Sequence, residues 1–467
     1  MVGPTKSSAA QIDLAQPPPQ NYGLRREILS PMETLAQSIS TIAPTATPAA
    51  TIPLVCALAG NGTWLAYVLA TMAILVVAWC VGRFARYSSS PGSLYSYASM
   101  ILPTWLSSIA AWSLLLAYVA TASSVIGGLY QYAAIAVGKS GIAPAEAVLI
   151  SLLVTGASVW IAWRDVKISA RLMLWIEATS MLMIITLVAL VLVRHGFHVD
   201  TEQLHLRGMT GSGLRLGLVL ALFSFVGFES ATTLGYEARN PLRTIPRAVV
   251  QCAVLSGAFF ILCSYSEVLG FHGAPTNLAD TNSPLHILAT KAGVSALGVG
   301  IDCGALISMF ACVLACTTAA ARVMLRMSHA GLLPHALRST SRVHGTPGTA
   351  IVLSATLMFI ATAVMAYYGI AGFDMYDLAG SLSVFGFLTA YALVALAVPF
   401  AERSLGKPHF RFIVLASAFT VLVIVMIAVF DIRSSSDPAH ARIPYLYLAY
   451  IVAALAVFFA RRKAHAH

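Results

Sequence analysis

Apolar runs long enough to cross a bilayer recur twelve times along this chain, and no other feature narrows its fold as much. They fall near 32–58, 63–82, 105–136, 144–163, 171–193, 213–236, 247–270, 296–321, 349–368, 378–400, 411–430 and 443–460. A helix needs about 20 apolar residues to span the hydrocarbon core, and in lipid only helices and closed barrels satisfy every backbone polar group. The expected class is therefore an all-α polytopic membrane protein with 12 transmembrane helices. Composition agrees. The chain is 58% hydrophobic and only 10% charged, against about 25% charged residues in a typical soluble domain. No soluble domain fits between the runs. Residues 1–30 are polar, lack the basic start and short apolar core of a signal peptide, and read as a mobile cytoplasmic tail.

The net charge of +10 could suggest nucleic acid, but its distribution argues for a membrane. With twelve spans and an inside N-terminus, 21 of the 28 Lys and Arg lie on the inside. The outside holds Lys139, Arg194, Arg207, Arg215, Lys291, Arg433 and Arg442. This bias places both termini in the cytoplasm. The seven cysteines all fall within or beside spans and read as small packing residues, with no disulfide expected. No His/Cys/carboxylate spacing matches a metal site. A phosphate-binding Gly-x-x-x-x-Gly-Lys-(Ser/Thr) is missing, so ATP is not expected to drive the protein directly. No catalytic set or output domain is visible, so neither an enzyme nor a cofactor is expected.

Two spans break the rule that a membrane helix is continuous. Span 1 contains Gln37-Ser38-Ile39-Ser40-Thr41-Ile42-Ala43-Pro44-Thr45-Ala46-Thr47-Pro48. Two prolines four residues apart remove two backbone donors and leave carbonyls near Ser40 and Pro44 without helical partners. A kinked helix whose hydroxyls bond back to the backbone is one outcome; a cavity lined by the freed groups is the other. Span 6 carries Gly227-Phe228-Glu229-Ser230 in mid-run, then Glu237-Ala238-Arg239-Asn240-Pro241 and Arg243-Thr244-Ile245-Pro246-Arg247. Pro241 is expected to end one helix and Pro246 to sit in the first turn of the next. A carboxylate at the bilayer centre costs roughly 2.5–3.5 kcal/mol, so Glu229 is expected to face inward, as a coupling or gating acid or as a structural acid. Glu177 in span 5 is either a proton carrier or a structural partner for a nearby donor. In span 3, Ser113, Ala117, Thr121, Ser124 and Gly128 form a stripe suited to close helix packing, with Tyr118 beside it within reach of a central cavity.

The stretch from Gly227 to Arg247 resembles the amino acid–polyamine–organocation permeases, whose sixth span carries a similar Gly-x-Glu-Ser followed by Glu-x-x-Asn-Pro-x-Arg-x-Ile-Pro-Arg. Ala319-Ala320-Ala321-Arg322-Val323 with Gly331-Leu332-Leu333-Pro334, and Gly92-Ser93-Leu94-Tyr95-Ser96-Tyr97, resemble further family pieces. The last would open a short helix under the inner mouth, or else anchor aromatics at the interface. The resemblance covers roughly 28–460. It implies a LeuT-like 5+5 inverted repeat, with 31–193 and 194–400 as the two halves, broken helices 1 and 6, and two C-terminal helices in 401–467. It further implies a secondary active transporter of amino acids in the cytoplasmic (inner) membrane, working by alternating access as a monomer or homodimer. Substrate would bind at the two breaks. Thr41, Ile42, Ala43, Thr45, Ala46 and Thr47 would take its carboxylate, and Phe223, Ser224, Phe225, Val226 and Gly227 its amine. Tyr118, Ser381 and Phe385 would complete the pocket or outer gate, and Phe228 would act with Glu229 in coupling. The family's usual glycines at the first break are missing, since no glycine lies between Met32 and Ala59. Many proton-coupled relatives carry a lysine in span 5; here Ser180 stands at the aligned position. Thr317 and Thr318 resemble a sodium site between spans 1 and 8 of distant relatives, beside the plainer reading that threonines in spans bond their own backbone. The coupling ion is thus a proton or sodium, and the substrate an amino acid or related amine. A polyamine, organic cation, nucleobase or potassium would suit the same fold.

Overall fold

The structure is a computed structural model that describes residues 21–404 apart from 140 and 282, nine positions between 414 and 429, and residues 440–464. It is built from helices, with no strand among the described residues. Nine of the helical stretches are long and apolar enough to cross a membrane; the first, Pro31–Phe84, covers two of the expected runs, and Gly211–Phe223 is a shorter apolar helix. The run at 411–430 lies largely outside the described residues.

Helix α1 (Pro31–Ile42) starts where its sequence says it should. Ser30 caps it, accepting from the Glu33 N–H, while the Glu33 carboxylate accepts from the Ser30 N–H at 2.8 Å, and Pro31 fills the first turn. It ends at Ala43, and after a turn the chain resumes as a wide π-type turn over Thr47–Thr51 and then α2 (Ile52–Ala59). Helices α3 (Thr63–Phe84), α4 (Ser93–Ile101), α5 (Thr104–Ala136), α6 (Pro144–Arg164) and α7 (Val166–Arg194) follow, then the single turn α8 (Thr201–Leu204). Helix α9 (Gly211–Phe223) stops in mid-run; the remainder of span 6 is a series of turns and a 3₁₀ segment, Ser230–Leu234. Next come α10 (Pro241–Phe271), α11 (Pro284–Lys291), α12 (Ser295–His329), α13 (Gly348–Tyr367), α14 (Gly372–Ser404) and α15 (Ile443–Ala464).

Several expectations are corrected. Pro241 opens α10 at its first position, and Pro246 lies inside that helix rather than at its start. Asn240, in the left-handed conformation with φ 47°, makes the sharp entry. The last part of the presumed mobile tail is docked: Tyr22, Leu24 and Leu29 are buried, and Leu29 exchanges backbone bonds with Glu237 (3.0 Å) and Arg239 (2.9 Å). The loop after α10 contains α11, which its short, mixed sequence did not signal.

The small-residue stripe of α5 faces α14. A Cβ on Gly386 would lie 2.6 Å from the Ser113 carbonyl and 2.9 Å from the Ala117 Cβ, so the two backbones meet at a distance only glycine permits. Tyr95 and Tyr97 of α4 are buried, Tyr97 stacking on Phe84, so they are not interfacial anchors. The Ser93 hydroxyl shares a 2.6 Å hydrogen bond with Thr232, which seats α4 beneath the irregular half of span 6.

Candidate functional site where the two interrupted helices meet

The two breaks are in direct contact. At Gly227 φ is +91°, and a Cβ there would lie 2.3 Å from Thr41 Cγ2. Only glycine suits both the backbone angle and the space. Thr41 and Ser230 share a 2.7 Å hydrogen bond, the Ser230 hydroxyl also donates to the Gln37 carbonyl at 3.1 Å, and the Ala231 N–H donates to Ser38 Oγ at 2.9 Å. The polar groups released by the span 6 break are thus taken up by the end of α1, as burial in a membrane requires.

Break 1 achieves its turn without glycine. Ala43 adopts the left-handed region, φ 51° and ψ 65°, and its N–H caps the Ser40 carbonyl at 3.1 Å. The Ser40 carbonyl is therefore not free; the Thr41 carbonyl instead accepts the Cys312 thiol at 3.2 Å. Ile42, Ala43, Thr45, Ala46 and Thr47 are all buried. Thr45 is completely enclosed, yet its hydroxyl has no partner among the described residues. An unsatisfied hydroxyl of this kind is where a polar ligand would gain most.

On span 6, tight turns occupy two of the expected amine-binding carbonyls: Phe223 accepts from the Val226 N–H (3.2 Å) and Phe225 from the Phe228 N–H (3.2 Å). Each retains a second lone pair. The aromatic rings divide. Phe223 meets Tyr376 edge-on at 5.6 Å and presses on Gly380. Phe225 and Phe228 point into packed interior, against Phe260 and Tyr391 respectively. The three rings separate because successive residues of a tight turn point in different directions. Ser224 shares a 3.2 Å hydrogen bond with Tyr67.

Glu229 is fully buried and held by two phenols. Tyr118 donates to Oε1 at 2.9 Å and Tyr391 to Oε2 at 2.6 Å, and Tyr391 also accepts the Gly227 N–H at 3.3 Å. Tyr118 is thereby placed at the span 6 acid. Glu177 is buried and bonded by the Ser308 hydroxyl at 2.9 and 3.1 Å; Ser180 donates to the Gly304 carbonyl at 3.4 Å. Both tie α7 to α12.

Other candidates lie elsewhere. Phe385 stacks on Tyr447 of α15 at 5.8 Å, away from Phe223, and Ser381 follows Gly380 on a different face of α14. The residues of α14 that cover Phe223 are Tyr376 and Gly380, one turn apart on the same face. Thr317 donates to the Val313 carbonyl at 2.8 Å and faces Ser158 and Met358, which removes it from the span 1 side. Thr318 keeps an unpartnered buried hydroxyl, but its carbonyl accepts Arg322 Nη1 at 3.1 Å. No group of three or more His, Cys, Asp or Glu forms a metal cluster among the described residues.

Three features went unread in the sequence. Arg322, expected at the cytoplasmic exit of span 8, is buried, and α12 continues to His329. It grips Glu237 through both Nε (2.6 Å) and Nη2 (2.7 Å), closing the chain beneath the site. Both residues lie in the quoted motifs, but nothing in one sequence pairs them. Tyr376 ties break 1 to α14 through its 3.0 Å hydrogen bond with Thr51. Glu267, near the C-terminal end of α10, is 1% exposed. The argument that singled out Glu229 and Glu177, an acid inside an apolar run, applies to it equally.

The family model for "Amino acid permease" matches residues 29–455. Among similar proteins, a branched-chain amino acid permease of Bacillus subtilis (strain 168) is 23% identical over 360 residues, 73% of each chain. A methylthioribose transporter of the same organism is 26% identical over 358 residues, again 73% of each. A branched-chain amino acid permease of Lactococcus lactis subsp. cremoris is 23% identical over 380 residues, 78% of this chain and 80% of that one.

Proposed function

This chain belongs to the amino acid permease family, and on that premise we propose that it is a secondary active transporter that moves amino acids across the cytoplasmic membrane by alternating access. The reading includes twelve spans in a 5+5 inverted repeat, both termini inside, and coupling to a proton by symport or exchange. The observation that supports it best is the direct apposition of the two interrupted helices at Thr41, Gly227 and Ser230, beside the enclosed, unpartnered hydroxyl of Thr45. A substrate carboxylate would be received at Ala43–Thr47 and its amine at the carbonyls of Phe223–Val226. The pocket wall would be Phe223 and Tyr376. A neutral side chain fits this wall, since no buried arginine or lysine faces Phe223 among the described residues; two similar proteins are named for branched-chain amino acids. Alternation would then exchange the closure at Tyr376 and Gly380 for the closure at Glu237 and Arg322.

The test is counterflow in liposomes with purified protein and labelled leucine, isoleucine or valine inside and outside. The reading expects exchange, and a rise in KM of about tenfold on Thr45→Val, equal to roughly 1.4 kcal/mol of lost binding. A folded protein that exchanges none of the common amino acids refutes it. A second reading, a transporter of another small polar solute on the same fold, draws on the similarity to a methylthioribose transporter and on the glycine-free first break. Competition of leucine counterflow by methylthioribose separates the two.

A further inference from the structure

Three buried acids in the spans, Glu229, Glu177 and Glu267, have no cationic partner among the described residues and differ in what holds them. Glu229 accepts from two phenols, and Glu177 accepts from one serine. Neither oxygen of Glu267 has any hydrogen-bond partner among the described residues. An isolated carboxylate in such a place is far costlier than a neutral acid. The titratable groups within electrostatic range of it are Cys56 from α2, Tyr67 from α3, Tyr132 from α5 and Cys263 one turn back on α10. None is a cation. The nearest ammonium on a packed element, Lys291 of α11, reaches instead to the Gly270 carbonyl (3.4 Å) and over the Phe271 ring. A hard metal ion wants a shell of oxygens, whereas two of these groups are thiols and both phenol oxygens are already bonded elsewhere. A proton is the cation this site can hold.

The two phenols give the site its consequence. Tyr132 donates to the Ala49 carbonyl, in the wide turn after break 1, at 2.6 Å. Tyr67 shares its hydroxyl with Ser224, the first residue after α9, at 3.2 Å. Glu267 is therefore within electrostatic range of two hydroxyls, one bonded to each break, and hydrogen-bonded to neither. We propose that Glu267 is a proton-binding site in the outer half of the protein, neutral in this closed arrangement. Losing its proton outward puts a negative charge within electrostatic range of the hydroxyls that hold Ser224 and Ala49, and so makes both breaks sensitive to its protonation state. The step is a proton transfer only: one O–H bond of the carboxyl breaks and the proton passes to outer water, and re-entry reverses it. This inference deepens the proton-coupled part of the proposed function and rests on it for its meaning, but not for its test.

Infrared difference spectroscopy of the purified full-length protein provides that test without any substrate. The wild type is expected to show a protonated-carboxyl C=O band at neutral pH that disappears at alkaline pH, and Glu267→Gln to lack it. An unchanged spectrum in Glu267→Gln overturns the proposal. In liposomes, Glu267→Gln is expected to keep counterflow within about twofold of wild type, while losing accumulation driven by a pH gradient. Retained gradient-driven accumulation, or loss of counterflow in a folded variant, overturns it as well. Should Glu267→Gln not fold, Glu267→Asp keeps an acid at the site with a shorter reach; the same band is then expected with a displaced pH midpoint, and an identical midpoint counts against the proposal. Wild-type counterflow independently decides the amino acid reading.

Discussion

The first break turns through an alanine and a wide helical turn, whereas the second turns through a glycine and dissolves into tight turns and a 3₁₀ segment. Ala43 in the left-handed region costs roughly 1–2 kcal/mol that a glycine would not. It can be tolerated because the surrounding bonds determine it: the Ala43 N–H caps Ser40, and Tyr132 and Tyr376 hold Ala49 and Thr51 from neighbouring helices. At the second break no such choice exists. Gly227 faces Thr41 too closely for any side chain, and its N–H is held by the same Tyr391 that holds Glu229. The break that supplies the hydroxyls is braced from outside; the break that supplies the acid is braced by its own acid. Below them the contrast recurs. Glu33 after the start of α1 pairs with an exposed Arg171 at 2.7 Å, while Glu237 after span 6 pairs with the buried Arg322.

The largest effect expected from disturbing this asymmetry is at the buried pair. Arg322→Ala leaves Glu237 buried without its cation and should cost about 3–5 kcal/mol of stability, read as loss of monodisperse protein or a lowered Tm in detergent; the corresponding Arg171→Ala should cost only about 1 kcal/mol, because Arg171 itself is solvent-facing and the buried Glu33 keeps the Ser30 N–H. Equal losses would erase the distinction drawn between the two sides. Next is Gly227→Ala, where the φ penalty and the clash with Thr41 together amount to roughly 2–5 kcal/mol. Thermal unfolding measures it, and pairing it with Thr41→Ala or Thr41→Ser should recover the steric part only. Tyr391→Phe removes one hydrogen bond to the Glu229 carboxyl and the acceptor for Gly227, an effect of about 1.5–3 kcal/mol. It should slow counterflow more than Tyr118→Phe, which removes one bond alone. The smallest is Ala43→Gly. Relief at φ 51° is offset by the greater freedom of unfolded glycine, leaving a gain of about 0.5–1 kcal/mol at most, with transport retained. A large loss there would mean that the Ala43 methyl has a packing role that its backbone angle does not reveal.

Much of the architecture was legible in one dimension. Apolar runs of spanning length, the proline-marked break of span 1 and the mid-run glycine and acid of span 6 follow from local rules of lipid solubility and backbone hydrogen bonding, and most of these helices start and stop within a few residues of the runs. Helix α11, the buried reach of α12 and the docking of residues 21–30 were not legible, because each is stabilised by partners distant in the chain. At the site the sequence marked Thr41, Gly227, Glu229 and Tyr118 one by one, but not the bond between Tyr118 and Glu229 or the contact of Thr41 with Gly227 and Ser230. It did not distinguish Phe223 from Phe225 and Phe228, or Tyr376 from Phe385. Those differences depend on the phase of one element against another.

Sequence alone determined that this chain reads as membrane-spanning helices and that spans 1 and 6 carry residues ill suited to a continuous one, since hydropathy, the missing donors of span 1 and the mid-run acid of span 6 act wherever the residues are. Only the tertiary structure decided which acid has donors and which has none, because Glu229, Glu177 and Glu267 are alike as letters in an apolar run. What separates them is whether a tyrosine or a serine from another helix arrives within 3 Å or so, and that is a property of packing.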